Sequence, residues 1–135
     1  MRFGSKKVTD KNGVIWDSTT EYKYGLKLKE LQEKGVIKDL QRQVPYLLIP
    51  AFKDGQGNSV RKTEYVADFV YTDVATGNTI IVDTKGMPPT SDFKLKWKMM
   101  KYKYPQYTYK CLKGIGRNKR KGIMHYQNWE QVKGC

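Results

Sequence analysis

The residues best suited to chemistry are two aspartates on a predicted β-hairpin, Asp68 and Asp83, with turn residues 73–78 between their strands. If Thr72 pairs with Thr79, then Asp68 lies directly opposite Asp83, with Cβ atoms roughly 4.5–5.5 Å apart. Two carboxylates at this distance destabilise a sheet unless a cation compensates them, and hard oxygen ligands suit Mg²⁺. The sequence therefore predicts a divalent cation site on the hairpin.

Side-chain alternation indicates which neighbours share the face of each aspartate. Along the first strand it puts Asp68 with Val66 and Val70, and along the second it puts Lys85 with Asp83. In the alternative reading, both aspartates end their strands and face water. The apolar residues around them favour burial, where an uncompensated carboxylate is expensive.

A third carboxylate, Glu21, lies on a predicted helix. Together with Ser18 it fits a capping box, which would be a purely structural role. It also precedes Tyr24 and Leu28 by three and seven residues, so it projects from the apolar stripe of the helix. A carboxylate on this packing face can reach a site at the sheet.

The elements that must position these residues form a mixed α/β domain in the order helix, strand, β-hairpin, helix, strand. Proline at position 45 favours an edge strand. We expect a single domain over residues 1–135, with a core at about 15–112 and a basic C-terminal segment at 113–135. The predicted elements are a helix from Asp17 or Ser18 to Lys34, strands at 44–49, 60–72, 79–85 and 107–112, a helix from Ser91 to about Tyr104, and a segment at 123–132 that is either a strand or a short helix.

The charge balance favours a polyanionic partner. There are 26 Lys+Arg against 13 Asp+Glu, which gives a net charge of +13. Two groups of basic residues stand out, one on the second helix and one in a glycine-containing segment that follows. A solvated lysine face is the ordinary alternative. The candidate phosphate contacts are Lys94, Lys96, Lys98, Lys101, Lys113, Arg117, Lys119, Arg120 and Lys121.

The second helix also has two apolar stripes, which one core does not require. Phe93, Trp97 and Met100 form the first, and Leu95 and Tyr102 belong to the second. The second stripe is available to a partner subunit or to another element of the chain.

Several classes of site are excluded by counts. Two cysteines and one histidine, His125, are too few for a structural zinc site or a two-histidine nuclease. Cys111 is expected to be a small buried strand residue, and its pairing with His125 as a nucleophile is disfavoured. No P-loop motif is present. We also expect no signal peptide and no membrane span, hence a soluble cytoplasmic protein.

These residues resemble the PD-(D/E)XK nuclease superfamily. Asp68 corresponds to the first carboxylate, Asp83 to the (D/E) position, Thr84 to X and Lys85 to the lysine, while Ala67 replaces the usual proline. Short sequence segments are also similar to those of short bacteriophage junction-resolving endonucleases and of a phage-encoded family of uncharacterised nuclease-like domains. The segments that carry the likeness are Trp16-Asp17-Ser18-Thr19-Thr20-Glu21, Glu33-Lys34-Gly35, Val44-Pro45-Tyr46, Ala67-Asp68-Phe69 and Val82-Asp83-Thr84-Lys85-Gly86.

The resemblance implies a restriction-endonuclease-like core with a mixed sheet, a catalytic β-hairpin and flanking helices. It implies that Asp68, Asp83 and the Thr84 carbonyl bind Mg²⁺, or Mn²⁺ as a substitute, with Glu21 completing the shell or binding a second ion. Lys85 would orient the attacking water or stabilise the phosphate. An ion pair with Asp83 alone is its structural alternative.

The expected function is that of a Mg²⁺-dependent DNA endonuclease, and in particular a phage-type Holliday junction resolvase that acts in DNA recombination in the host cytoplasm. Paired cuts at a four-way junction imply a homodimer. Two alternatives stay open: a restriction-like or homing-type enzyme that cuts or nicks ordinary duplex DNA, and a non-catalytic basic DNA-binding module.

Overall fold

The computed structural model describes residues 8–9, 15–16, 19–120, 123–133 and 135. Two helices and nine strands are present in this part of the chain. In chain order they are β1 (Val8–Thr9), β2 (Ile15–Trp16), α1 (Thr19–Glu33), β3 (Ile37–Ile49), β4 (Phe52–Lys53), β5 (Ser59–Val60), β6 (Thr63–Asp73), β7 (Thr79–Thr84), α2 (Ser91–Lys103), β8 (Thr108–Arg120) and β9 (Ile123–Gln131).

Five of the strands form one mixed sheet in the order β3-β6-β7-β8-β9. The β7–β8 pair is parallel and the other three pairs are antiparallel. A parallel pair needs a crossover, which α2 supplies between β7 and β8. The predicted α/β class with a mixed central sheet and flanking helices is confirmed, as is the position of the Pro45 strand, β3, at a sheet edge.

The two helices cover opposite faces of the sheet. On one face, Tyr24 and Leu28 of α1 belong to a buried cluster with Phe69 and Val82. On the other face, the buried residues of α2 are Phe93, Trp97 and Met100, and they pack with strand residues that include Ile81. The first predicted stripe of α2 is therefore core. Leu95 and Tyr102 of the second stripe are exposed.

The register of the central hairpin matches the prediction. Thr72 pairs with Thr79, and the ladder continues as far as Phe69 with Val82. In the turn, the amide of Gly77 donates to the Asp73 carbonyl at 2.7 Å, and Gly77 has a φ of 75°. Glycine adopts this left-handed backbone without steric cost. The same register, continued by one position, brings Asp68 to the level of Asp83.

The prediction of strict alternation along β6 is wrong near Asp68. The ring of Tyr65 contacts Phe93 and Trp97 of α2, whereas the ring of Phe69 contacts Tyr24 of α1. Residues four apart on a regular strand share a face, so the strand changes face between these two aromatics.

The adjacent strand is irregular at the same level. Gln43 of β3, which lies between the pairs Arg42–Phe69 and Val44–Ala67, has a φ of 52°, and Asp39 has a φ of 55° near a register shift. Positive φ is uncommon outside glycine. The irregular backbone at Gln43 therefore lies at the level of Asp68.

Several predicted boundaries differ from those observed. The first helix ends at Glu33, and Gly35 at φ 76° follows it, with its amide bonded to the Gln32 carbonyl. Thr90, rather than Ser91, caps α2, since its side chain accepts from the amide of Phe93. The candidate caps Asp17 and Ser18 lie outside the described residues. Strands β3 and β8 are longer than predicted, and residues 123–131 form a strand.

Among the described residues, neither helix has the length and apolar character needed to cross a membrane.

Candidate functional site

Asp68 is tied to the end of β7 by two hydrogen bonds. Its Oδ2 accepts from the amide of Thr84 at 2.8 Å and from the Thr84 hydroxyl at 3.0 Å. The side chain of Asp68 is partly buried, and Thr84 is buried. Across the described chain, no hydrogen bond reaches the second oxygen of Asp68, Oδ1, and no ion pair neutralises the carboxylate. This oxygen is available to a ligand.

Asp83 is buried, with 5% of its surface exposed, and each of its oxygens has a partner. Tyr65 donates its hydroxyl to Oδ1 at 2.7 Å, and the Nζ of Lys85 is 2.9 Å from Oδ2. The same Nζ lies 3.5 Å from the centre of the Phe93 ring, so the ammonium group is held between a carboxylate and an aromatic face. Lys85 therefore has a defined position at the end of β7.

Glu21 is almost completely buried in the first turn of α1. Gln43 donates its side-chain amide to Oε1 at 2.7 Å, and a guanidinium nitrogen of Arg42 is 3.5 Å from the same oxygen. Both partners come from the irregular part of β3. Gln43, the residue with the positive φ, is thus also the residue whose side chain holds Glu21 in place.

The negative charge of Asp68 is poorly compensated in the folded protein, as the shift of its pKa indicates. Burial raises the pKa of Asp68 well above its ordinary value, and the negative charges of Asp83 and Glu21 raise it further, against the two hydrogen bonds from Thr84. Burial also raises the pKa of Asp83, which Lys85 and Tyr65 oppose. Three carboxylates therefore interact electrostatically, and one of them has no cationic partner among the described side chains.

A divalent cation fits this donor set on two grounds. Asp68 presents a free oxygen, and it lies in an acidic environment that disfavours its negative charge and that a cation would compensate. Asp83 would have to share its oxygens with Tyr65 and Lys85. Among the described residues, no three His, Cys, Asp or Glu side chains converge into a ready metal-binding group. Asp68 and Asp83 are therefore the candidate side-chain ligands, because the Oε1 atom of Glu21 is engaged by Gln43 and Arg42.

Close packing ties the start of α1 to the residue after Lys85. A Cβ atom built on Gly86 would lie 2.9 Å from the hydroxyl of Thr20, a distance that real Cβ atoms do not adopt. Thr20 immediately precedes Glu21 in the helix. Glycine at position 86 therefore allows the helix that carries Glu21 to approach the strand that carries Asp83.

The predicted phosphate contacts are only partly described. On α2, Lys94, Lys98 and Lys101 are exposed, while Lys96 is partly buried, with its Nζ 3.7 Å from Asp92. Lys113 is exposed and pairs with Glu130 at 3.4 Å. The side chains of Arg117, Lys119 and Arg120 and the whole of Lys121 lie outside the described part of the chain.

Three residues at the site were not anticipated: Tyr65, Gln43 and Arg42. Strict alternation predicted that Tyr65 lies on the face opposite Asp68. Nothing in the sequence around Gln43 indicates a left-handed backbone. A weak signal for Tyr65 was available, since a buried tyrosine hydroxyl needs a polar partner and two aspartates lay nearby.

The part of the chain that matches a known protein family includes all three carboxylates of the site. A family model described as "Protein of unknown function (DUF1064)" matches residues 1–116. The chain belongs to this family. The match includes Glu21, Asp68, Asp83 and Lys85, and it ends just before Arg117. No curated protein matches the chain, and no solved structure matches it.

Proposed function

We propose that this protein is a divalent-cation-dependent endonuclease that hydrolyses phosphodiester bonds in DNA. The observation that carries the proposal is the pair Asp68 and Asp83. Asp68 has no cationic partner among the described side chains, and Lys85 is held 2.9 Å from the buried Asp83. Phosphoryl chemistry needs acidic oxygens to bind a cation and a nearby ammonium group to meet phosphate charge. The net charge of +13 supports a polyanionic substrate.

Each residue has a role that its contacts support. Asp68, Asp83 and the Thr84 carbonyl would hold Mg²⁺. When bound, Mg²⁺ would lower the pKa of a water molecule and offset charge on the scissile phosphate. Lys85 would donate to that water or to a phosphate oxygen. Tyr65 and Phe93 would keep Asp83 and Lys85 in place.

Glu21 would act mainly through charge. Its Oε1 is engaged by Gln43 and Arg42, yet its charge raises the pKa of Asp68. We therefore assign it to increasing the cation affinity of the site or to an outer position around the ion. We also propose that the fold is the restriction-endonuclease-like core expected for the PD-(D/E)XK superfamily.

We further propose that the substrate is a branched DNA, in particular a four-way junction cut by a homodimer, as expected of a phage-type resolvase. The exposed Leu95 and Tyr102 of α2 offer apolar surface to a second copy. Backbone contacts from scattered lysines give affinity without base reading, which agrees with recognition of structure instead of sequence.

The test is a cleavage assay with purified protein and Mg²⁺ on a labelled four-way junction and on a linear duplex of the same sequence. The matched variant is Asp83→Asn, which keeps the size and removes the charge. We expect cleavage by the wild type and none by the variant, with DNA binding retained in Ca²⁺. Equal cutting of both DNAs would keep the nuclease and reject the resolvase. Binding without cleavage in Mg²⁺ or Mn²⁺ would reject the nuclease.

A further inference from the structure

A cavity opens beside Lys85, between the loop that follows β7 and the end of the sheet. Residues 85–89 line one side, and Lys113, Gly114, Val132 and Lys133 line the other. Its volume is about 360 Å³, which is within the range of sites that bind small organic ligands. Because Lys85 belongs both to this cavity and to the carboxylate site, the two sites adjoin.

The lining combines positive charge with an apolar wall. Three lysines, Lys85, Lys113 and Lys133, line the cavity, and among the described residues no acidic side chain does so. Lys85 and Lys113 are also paired with Asp83 and Glu130. Met87 and the Pro88-Pro89 pair form an apolar surface on the loop side. This pattern suits a ligand with an anionic group at one end and a flat, weakly polar group at the other. A nucleotide has this chemistry.

We propose that the cavity binds an unpaired nucleotide of the DNA next to the scissile phosphate. A cavity of this size cannot admit a base that is stacked and paired in a duplex, so the nucleotide must leave the stack to enter. Such nucleotides are available at single-stranded flaps and at branch points. This inference rests on the proposed function, and it specifies the substrate class as DNA with an unpaired nucleotide at the cut.

The test is a binding measurement that needs no cleavage. Fluorescence anisotropy in Ca²⁺ would compare a linear duplex with the same duplex that carries a short single-stranded flap. The variant is Lys133→Glu, and the matched control is Lys38→Glu on β3, at the opposite edge of the sheet. We expect the wild type to prefer the flap DNA by about tenfold, as unstacked bases in a fitted site contribute. Lys133→Glu should abolish that preference, and Lys38→Glu should keep it.

Equal weakening of both DNAs by both variants would overturn the inference, since the cavity would then be only part of a general positive surface. The absence of any flap preference in the wild type would also overturn it. Cleavage is scored separately. If the protein cuts both DNAs without preferring the flap, the proposed nuclease function stands and this inference fails. If it prefers the flap but cuts neither DNA, the nuclease function fails and only the binding of an unpaired nucleotide stands.

A second inference has an independent basis in the two cysteines. The Sγ atoms of Cys111 and Cys135 are 2.8 Å apart. Cys111 of β8 belongs to the buried cluster beneath α2, and Cys135 packs against that cluster. The carbonyl of Cys135 accepts a hydrogen bond from Lys101 at 3.3 Å. The structure thus brings residue 135 back to the strand that pairs with β7, where Cys111 is the register partner of Asp83.

We infer that Cys111 and Cys135 form a reversible disulfide when a low-molecular-weight disulfide such as oxidised glutathione is present. Cys135, the less buried thiol, attacks one sulfur of glutathione disulfide and releases one glutathione thiol. Cys111 then attacks the mixed disulfide and releases the second. Two protein thiols are oxidised, one glutathione disulfide is reduced to two thiols, and the protein's two protons pass to them.

Intact mass and free-thiol titration before and after treatment with oxidised glutathione test this inference. We expect the wild type to lose two hydrogens and both titratable thiols, to remain monomeric in mass, and to recover both thiols with dithiothreitol. Cys135→Ser should lack this change. The inference is overturned if the wild type keeps both thiols, stops at the mixed disulfide or forms only intermolecular disulfides.

Discussion

Tyr65 donates its hydroxyl to Oδ1 of Asp83 at 2.7 Å, from one strand of the central hairpin to the next. Both side chains are buried, and burial together with the charge of Asp83 raises the pKa of Tyr65 well above its ordinary value. The tyrosine therefore stays protonated and acts as a fixed donor. This contact exists because β6 changes face between Tyr65 and Phe69.

Tyr65→Phe removes this donor and leaves the ring in place. The loss of a hydrogen bond to a buried carboxylate should cost about 1–3 kcal/mol of unfolding free energy. The pKa of Asp83 should rise, because the hydroxyl lowers it in the wild type. The acidic limb of the pH dependence of cleavage should therefore move to higher pH. An unchanged pH profile with reduced stability would make Tyr65 structural only.

Asp68→Asn should stabilise the protein when no cation is present. The substitution removes a carboxyl group whose charged form is disfavoured by burial and by Asp83 and Glu21, and the amide oxygen can still accept from Thr84. Thermal unfolding in EDTA should give a higher Tm for the variant. Added Mg²⁺ should raise the Tm of the wild type by mass action and leave that of Asp68→Asn almost unchanged. Equal responses to Mg²⁺ would place the cation elsewhere.

The pH dependence of stability follows from the same carboxylates. The folded-state pKa values of Asp68 and Asp83 are above their ordinary values, so the folded protein retains protons that the unfolded chain releases above about pH 3.9. The retained protons contribute fully to the free energy of unfolding below that pH, and this contribution is lost as pH rises through the folded-state pKa values.

Urea unfolding from pH 4 to pH 8 in EDTA measures this effect. The stability of the wild type relative to Asp68→Asn should fall over this interval, because Asp68 ionises less readily in the folded protein than in the unfolded chain. A constant difference would mean that the carboxylate is as well compensated in the folded protein as in water.

Gln43 offers a matched pair of substitutions. Gln43→Ala and Gln43→Gly both remove the hydrogen bond to Glu21, but only glycine adopts a φ of 52° without steric cost. We expect equal losses of cleavage, with the glycine variant more stable by about 1 kcal/mol. Chemical unfolding measures the difference, and a more stable alanine variant would argue against a left-handed residue 43.

The parts of the fold that depend on local patterns were predictable. The turn after Asp73 fixed the register of β6 and β7, and the apolar spacing of α2 identified its buried residues. The face change in β6 was not predictable, because it depends on how the irregular strand β3 pairs with it. Strand β8 extends through Gly114 and Gly116, residues that ordinarily weaken strands and that therefore favoured a loop.

At the site, alternation placed Lys85 beside Asp83, and the helical spacing placed Glu21 on the buried side of α1, which is where these side chains lie. The partners Tyr65 and Gln43 depend on tertiary geometry that no spacing in the sequence encodes. The proximity of Cys135 to Cys111 likewise depends on where β9 ends relative to β8.

Single-turnover cleavage of a labelled four-way junction by the wild type and by Asp83→Asn, in Mg²⁺ and in EDTA, tests whether hydrolysis depends on Asp83 and on a divalent cation. We expect cleavage only by the wild type in Mg²⁺, with the variant still bound to the junction in Ca²⁺. Cleavage by Asp83→Asn at the wild-type rate, or by the wild type in EDTA, would mean, respectively, that Asp83 or a divalent cation is not needed for hydrolysis.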